Sequence, residues 1–329
     1  MSNRTLYRAF ALSCVAGLGL LSPSAHSQLV INATFDSSIT SDVNSVAMMN
    51  AINEDIQFYQ NTYTDSVTVN ILFKSDNNVG LGQAATFGDQ YSYSDYRAAL
   101  VSHATTANDA LALSHIAAGT NNPVNGNSQI HLTTAHARML GIDLGTLEFD
   151  STISLNMSLM NLTRTNIDPD KYDLRTVAYH EINEVLGFGS GLNGLPNSPI
   201  ISHTGPIGTM DLFRYDQNGV RTLTTDPNAQ AYFSLDGTTR LERFNQTEGG
   251  DRQDWFSDGP HTPSVQDAFS TPGLVLNNGA PELTGLDVIG WTSRGTVVPA
   301  PGSLAVFASL FSVGGLSMAA RKRRTSRTA

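Results

Sequence analysis

Apolar residues between Met48 and Tyr63 recur at helical spacing, so that Met48, Ile52, Ile56 and Tyr59 share one face of a predicted helix. Thr64 and Asp65 break the pattern, and Val67 to Phe73 then alternates as a half-buried strand does. A second helix is predicted over Tyr96 to Ala107. Ile130 to Arg138 and Thr152 to Leu159 each contain a strand pattern, the first also compatible with the start of a helix. Asp173 stands as an N-cap before a helix from Leu174 to Leu186, and Gly187 ends it. Gly187 to Gly208 holds too many glycines and prolines for regular structure. Asp211 to Tyr215 and Val220 to Thr224 flank Asn218-Gly219, a hairpin signal. Tyr232 to Leu235 and Thr239 to Phe244 suggest another short pair, and Pro281 to Ile289 a last helix closed by Gly290. Helices and strands alternate in the first half and irregular segments fill the second, an order that indicates α+β or α/β. No repeat or linker divides Gln28 to about Ser293, so residues 28–293 read as one domain.

The two ends follow different rules. Arg4 and Arg8 precede an apolar run from Ala9 to Leu21, and Ala25-His26-Ser27 forms a small-x-small cleavage site, the layout of a secretory signal peptide over residues 1–27. The run is short for a membrane anchor. The only cysteine, Cys14, lies within it, so the mature chain has no disulfides. At the other end, in residues 294–329, Pro299-Ala300-Pro301-Gly302 leads into the apolar stretch Ser303 to Ala320 and then Arg321-Lys322-Arg323-Arg324. That stretch is close to the minimum for a helical span, with its basic cluster on the cytoplasmic side. Arg4, Arg8, Arg321, Lys322, Arg323, Arg324 and Arg327 sit in the signal segment and behind the apolar tail with no acid beside them, so removing these seven moves the formal charge from -10 to about -17. A body this acidic repels phosphate backbones, which argues against nucleic acid as a partner.

The chemistry concentrates in Val177 to Gly187. On a helix His180 and Glu184 are four residues apart and face the same way, close enough to share one metal ion, with Glu181 beside them. This is the spacing of the H-E-x-x-H zinc peptidases, whose glutamate is the general base, with Glu184 in place of the second histidine. A carboxylate is an acceptable zinc ligand. Such a short pattern also arises by chance on surface helices. Here, however, Val177, Ile182, Val185 and Leu186 supply an apolar side, a strand pattern precedes the helix and Gly187 turns the chain away after it.

The segment Asp173 to Leu192, with Asp211 to Tyr215 and Leu286 to Trp291, resembles a family of exported bacterial metalloproteases that carry H-E-x-x-E and a PEP-CTERM sorting tail, and Pro299-Ala300-Pro301 stands where that tail has Pro-Glu-Pro. The resemblance extends to Phe35 to Ile39 and the Met48 helix. It implies an α+β, zincin- or metzincin-like catalytic domain with a mixed sheet and an active-site helix. It further implies Zn2+ held by His180 and Glu184, Glu181 as base, and a protein or peptide substrate. It places the protein in the secreted or cell-surface compartment, exported by the Sec machinery and held transiently by a tail that an exosortase removes; a permanent single-span anchor is the other reading of that tail.

The third ligand is open. Metzincins place it six residues after the second, where this chain has Ser190, a poor ligand. His261, in the rigid turn Asp258 to Pro263, is the preferred candidate, with His203 and Asp211 as alternatives. His103, His115, His131 and His136 read as structural. Asn166, Asp168, Asp170 and Asp173 are compatible with structural Ca2+, although helix capping accounts for them more simply. Gly189 to Gly194 matches G-x-G-x-x-G, yet it follows a helix where a dinucleotide site must follow a strand. A carboxylate-bridged iron site requires a second Glu-x-x-His helix, which is missing from the sequence. The remaining alternative is a non-catalytic surface or matrix protein on a zincin-like scaffold.

Overall fold

The computed structural model describes residues 28–142, 147–198 and 203–294; the expected signal peptide and, beyond Arg294, the sorting tail lie outside them. The chain opens with strand β1 (Val30–Phe35), the short helix α1 (Ser37–Thr40) and the long helix α2 (Ser45–Thr62). Strands β2 (Thr68–Ser75), β3 (Gly82–Thr86) and β4 (Gly88–Ser92) follow, then helices α3 (Tyr93–His103) and α4 (Ala107–His115). Strand β5 (Gln129–Thr133) passes directly into helix α5 (Thr134–Met139), and β6 (Ser151–Leu155) completes the main sheet. The helix expected over Tyr96 to Ala107 is thus two helices. The break comes at Thr106, which closes a capping box with Asp109 and starts α4.

The main sheet is mixed, in the order β1-β2-β6-β3, with β1, β2 and β6 parallel and β3 antiparallel at the edge. Val69, Ile71 and Phe73 of β2 and Ile153 and Leu155 of β6 alternate with more exposed neighbours and bury one face. On the other face the Asn32 and Asn70 side chains meet at 3.0 Å. Two short strands, β7 (Met160–Asn161) and β8 (Tyr172–Asp173), lead into helix α6 (Leu174–Val185), which lies over β3 and β6 while α2 lies beside it over β1. The α+β class with a mixed sheet is therefore the architecture of the chain.

The second half is mostly irregular. Strands β9 (Arg214–Tyr215), β10 (Tyr232–Phe233) and β11 (Glu242–Arg243) form a small antiparallel sheet. Asp211 to Phe213, expected as strand, is a 3-10 turn, and the Asn218-Gly219 hairpin contracts to a bridge between Tyr215 and Arg221. Helix α7 (Ala280–Val288) carries proline in its first turn and ends near Gly290, whose φ of 114° is open to glycine without strain. No helix among the described residues is long and apolar enough to cross a membrane.

Candidate metal centre

Helix α6 is pinned at both ends. Asp173 caps it by accepting from the Thr176 amide at 3.0 Å, and Arg164 holds the same carboxylate at 2.7 Å. At the other end Trp291 Nε1 donates to the Leu186 carbonyl at 2.7 Å and Thr133 Oγ1 to the Val185 carbonyl at 2.8 Å, satisfying groups the helix leaves open. Leu174, Val177, Ala178, Ile182 and Val185 are buried. From the middle, Asn183 joins Tyr59 of α2, Gln266 and Asn278 in a buried hydrogen-bond network. The residues between these anchors have little freedom to move.

His180 and Glu184 share one face of this helix, and the chain brings Asp254 to meet them. His180 Nε2 lies 3.8 Å from Glu184 Oε1 and 3.6 Å from Asp254 Oδ1. Of the described residues, these three form a group whose ligand atoms all lie within 4.8 Å of one another. His180 Nδ1 lies 3.1 Å from the Val265 carbonyl oxygen, an acceptor, so Nδ1 carries the hydrogen and Nε2 turns a lone pair toward the two carboxylates. The separations are too long for hydrogen bonds. They suit ligands arranged around a zinc ion at about 2.0–2.2 Å. A cation among them would relieve the repulsion between the two carboxylates, so the residues fit a bound divalent ion. The supporting contacts are in place as well: Gln253 Nε2 donates to Glu184 Oε1 at 2.8 Å and Gln266 Nε2 to Asp254 Oδ1 at 3.0 Å.

Glu181 sits beside this group against the edge strand. The Ala84 amide of β3 donates to its carboxylate, and a Cβ on Gly82 would lie 2.3 Å from Glu181 Oε1. Burial, then the charges of Glu184, Asp254 and Asp251, pushes the Glu181 carboxyl well above the ordinary range. Burial likewise raises Glu184 and Asp254. A cation on Glu184 and Asp254 removes two of the charges acting on Glu181. All four groups line a cleft of about 840 Å³, walled on one side by Gly80 to Ala84 and on the other by Gly249 to Asp251, Asp254 and Asp267 to Ser270.

The other predicted residues stand elsewhere. His261 donates or accepts at both ring nitrogens, with Nδ1 2.7 Å from the Gly259 carbonyl and Nε2 2.9 Å from Asp267 Oδ2, and it is not in the group with His180. His203 Nε2 lies 3.0 Å from the Pro206 carbonyl. Asp211 accepts from Ser190 Oγ at 2.6 Å and from the Gly191 and Gly208 amides, tying the glycine-rich loop together. In the acidic run, Asp173 caps α6 and Asp168 accepts from the Asp170 amide, so capping and turn formation occupy these two carboxylates. His136 is fully buried, with Nε2 2.7 Å from the Ile289 carbonyl.

Asp254 escaped the sequence reading because nothing local marks it. Its position follows from Trp255, which is fully buried among Phe188, Phe233 and Phe244 and donates from Nε1 to Glu282 of α7 at 2.9 Å. The Trp255 amide also donates to the Gln266 carbonyl at 2.8 Å. A carboxylate next to one of the chain's two tryptophans is the one signal that could have pointed to it. Compared with protein-family models, with curated proteins and with solved structures, the chain matches none.

Proposed function

We propose that the protein is an exported zinc-dependent endopeptidase with a zincin-like catalytic domain, in which His180, Glu184 and Asp254 hold the metal and Glu181 is the general base. The observation that carries this reading is the convergence of an imidazole lone pair and two carboxylates at the floor of a cleft, with a third carboxylate beside them. Zinc bound there supplies Lewis acidity, making water nucleophilic near neutral pH and polarising a carbonyl. Glu181 takes the proton of the attacking water as its oxygen bonds to the carbonyl carbon, then passes that proton to the nitrogen as the C–N bond breaks. The Val265 carbonyl keeps His180 in the tautomer that presents Nε2, and Gln253 and Gln266 hold the two carboxylates. Among the described residues strand β3 pairs only with β6, so apart from the Ala84 amide, which Glu181 takes, its other edge offers backbone groups to an extended peptide. Export rests on the pattern of the two chain ends.

Metal content by mass spectrometry, together with hydrolysis of a mixed peptide library, tests the reading. About one zinc per chain is expected, lost in His180→Ala. Glu181→Gln should keep the zinc and lose turnover by a factor of about 10² to 10⁴. Metal-free protein without hydrolysis, even after zinc is supplied, would favour a non-catalytic surface protein on the same scaffold.

A further inference from the structure

The cleft has a one-sided charge. Glu181, Glu184, Asp251, Asp254 and Asp267 line it, and among the described residues neither lysine nor arginine does. A dication on Glu184 and Asp254 balances two of the five carboxylates and His261 faces Asp267, which leaves Glu181 and Asp251 to act on whatever enters. Arg252, the nearest cation in sequence, is buried and directs its Nη2 to Asn197 at 2.6 Å. Asp251 is exposed, and among the described residues its carboxylate receives one hydrogen bond, from Gln253 Nε2 at 3.3 Å. Asp267 is held at Oδ2 by His261 at 2.9 Å and by the Ser264 amide at 3.1 Å, while its Oδ1, on a side chain 2% exposed, has no hydrogen bond among the described residues. A buried acceptor on the wall of a cleft costs free energy until a donor reaches it. Apolar surface is present beside these charges, since Leu159 and Phe269 are each 40% exposed and both line the cleft, next to half-buried Tyr172.

We propose that the cleft selects basic peptides that also carry a large apolar side chain, with Asp251 meeting lysine or arginine and the Leu159–Phe269 surface taking the apolar group. The inference deepens the peptidase reading and rests on it for the identity of the ligand as a peptide. Low-dielectric walls focus the field of the carboxylates, attracting cations and repelling acidic chains. The same walls supply the apolar contact area.

Equilibrium binding measured without turnover separates this inference from the peptidase reading. Fluorescein-labelled peptides of equal length, rich in lysine and leucine, glutamate and leucine, glutamine and leucine, or lysine and serine, are titrated by anisotropy against zinc-supplied Glu181→Gln protein. The lysine–leucine peptide should bind about tenfold more tightly than the glutamate–leucine peptide at low salt, and the gap should close as ionic strength rises. Asp251→Asn should weaken the lysine–leucine peptide about fivefold and leave the glutamine–leucine peptide unchanged. Phe269→Ala should weaken every leucine peptide and spare the lysine–serine one. Glutamate and lysine peptides binding within twofold of each other, or an Asp251→Asn variant that binds as before, would overturn the inference. Wild-type protein that binds the basic peptide but cleaves none of the four would sink the peptidase reading alone.

Discussion

Replacing Gly82 by alanine puts a methyl group into space that the Glu181 carboxylate occupies. The new Cβ would lie 2.3 Å from Glu181 Oε1, 2.8 Å from Cδ and 2.9 Å from Cγ. Ordinary contacts begin near 3.5 Å, so the carboxylate must retreat by about 1 Å. Glutamate is flexible at its far end, and a rotamer change costs only about 1 kcal/mol, so the fold and Tm should change little. On the proposed mechanism the catalytic cost is larger, because a displacement of about 1 Å at a reacting group lowers kcat by about 10². The three atoms nearest the new methyl all belong to Glu181, so the perturbation falls first on Glu181 and zinc should remain. The assay measures kcat/KM, zinc content and Tm of Gly82→Ala beside Gly80→Ala. Gly80 lies on the same cleft wall, but a Cβ there meets nothing within 4 Å, which makes it the control. A Gly82→Ala enzyme within threefold of wild type would refute the placement of Glu181 as base against β3, and loss of zinc would show that the strand supports the metal instead.

Zinc content should fall in Asp254→Ala and stay at the wild-type level in His261→Ala; mass spectrometry giving the reverse order would return the third ligand to His261. Gln266→Leu removes the donor that holds Asp254 Oδ1 and should weaken zinc binding about 10- to 100-fold in a competition titration, a loss that an unchanged Kd would rule out. Burial pushes His136 down to about 4 from its ordinary 6.5, so the folded protein keeps it neutral while the unfolded chain protonates. Stability from this group is fully present above pH 6.5 and is lost as the pH falls toward 4, by about 3 kcal/mol. Asp267 and Asp287, both pushed up to about 6, act with the opposite sign at low pH, so the comparison is between His136→Gln and wild type. Between pH 7 and pH 5 the stability of the variant should rise relative to wild type by about 2 kcal/mol, and a difference that stays the same at the two pH values would exclude the assignment.

Sequence by itself determined the parts of this protein whose physics is local. Spacing of three and four residues set the buried face of α2 and placed His180 and Glu184 on one side of α6. A capping aspartate and a glycine at φ 120° bounded that helix at Asp173 and Gly187. Alternation marked β2, and a proline in the first turn marked α7. Strands β1 (VINATF) and β3 (GQAAT) carry little such signal, because Asn, Gly and Ala are weak strand formers and pairing with β2 and β6 makes them strands. Tertiary structure alone decided the rest of the site. Asp254 reaches His180 because Trp255 is buried and held by Glu282, while His261 turns to Asp267 and Asp211 to the loop of Ser190. Side-chain spacing carries information over one or two helical turns, whereas the third donor depends on how a long irregular segment packs against the core.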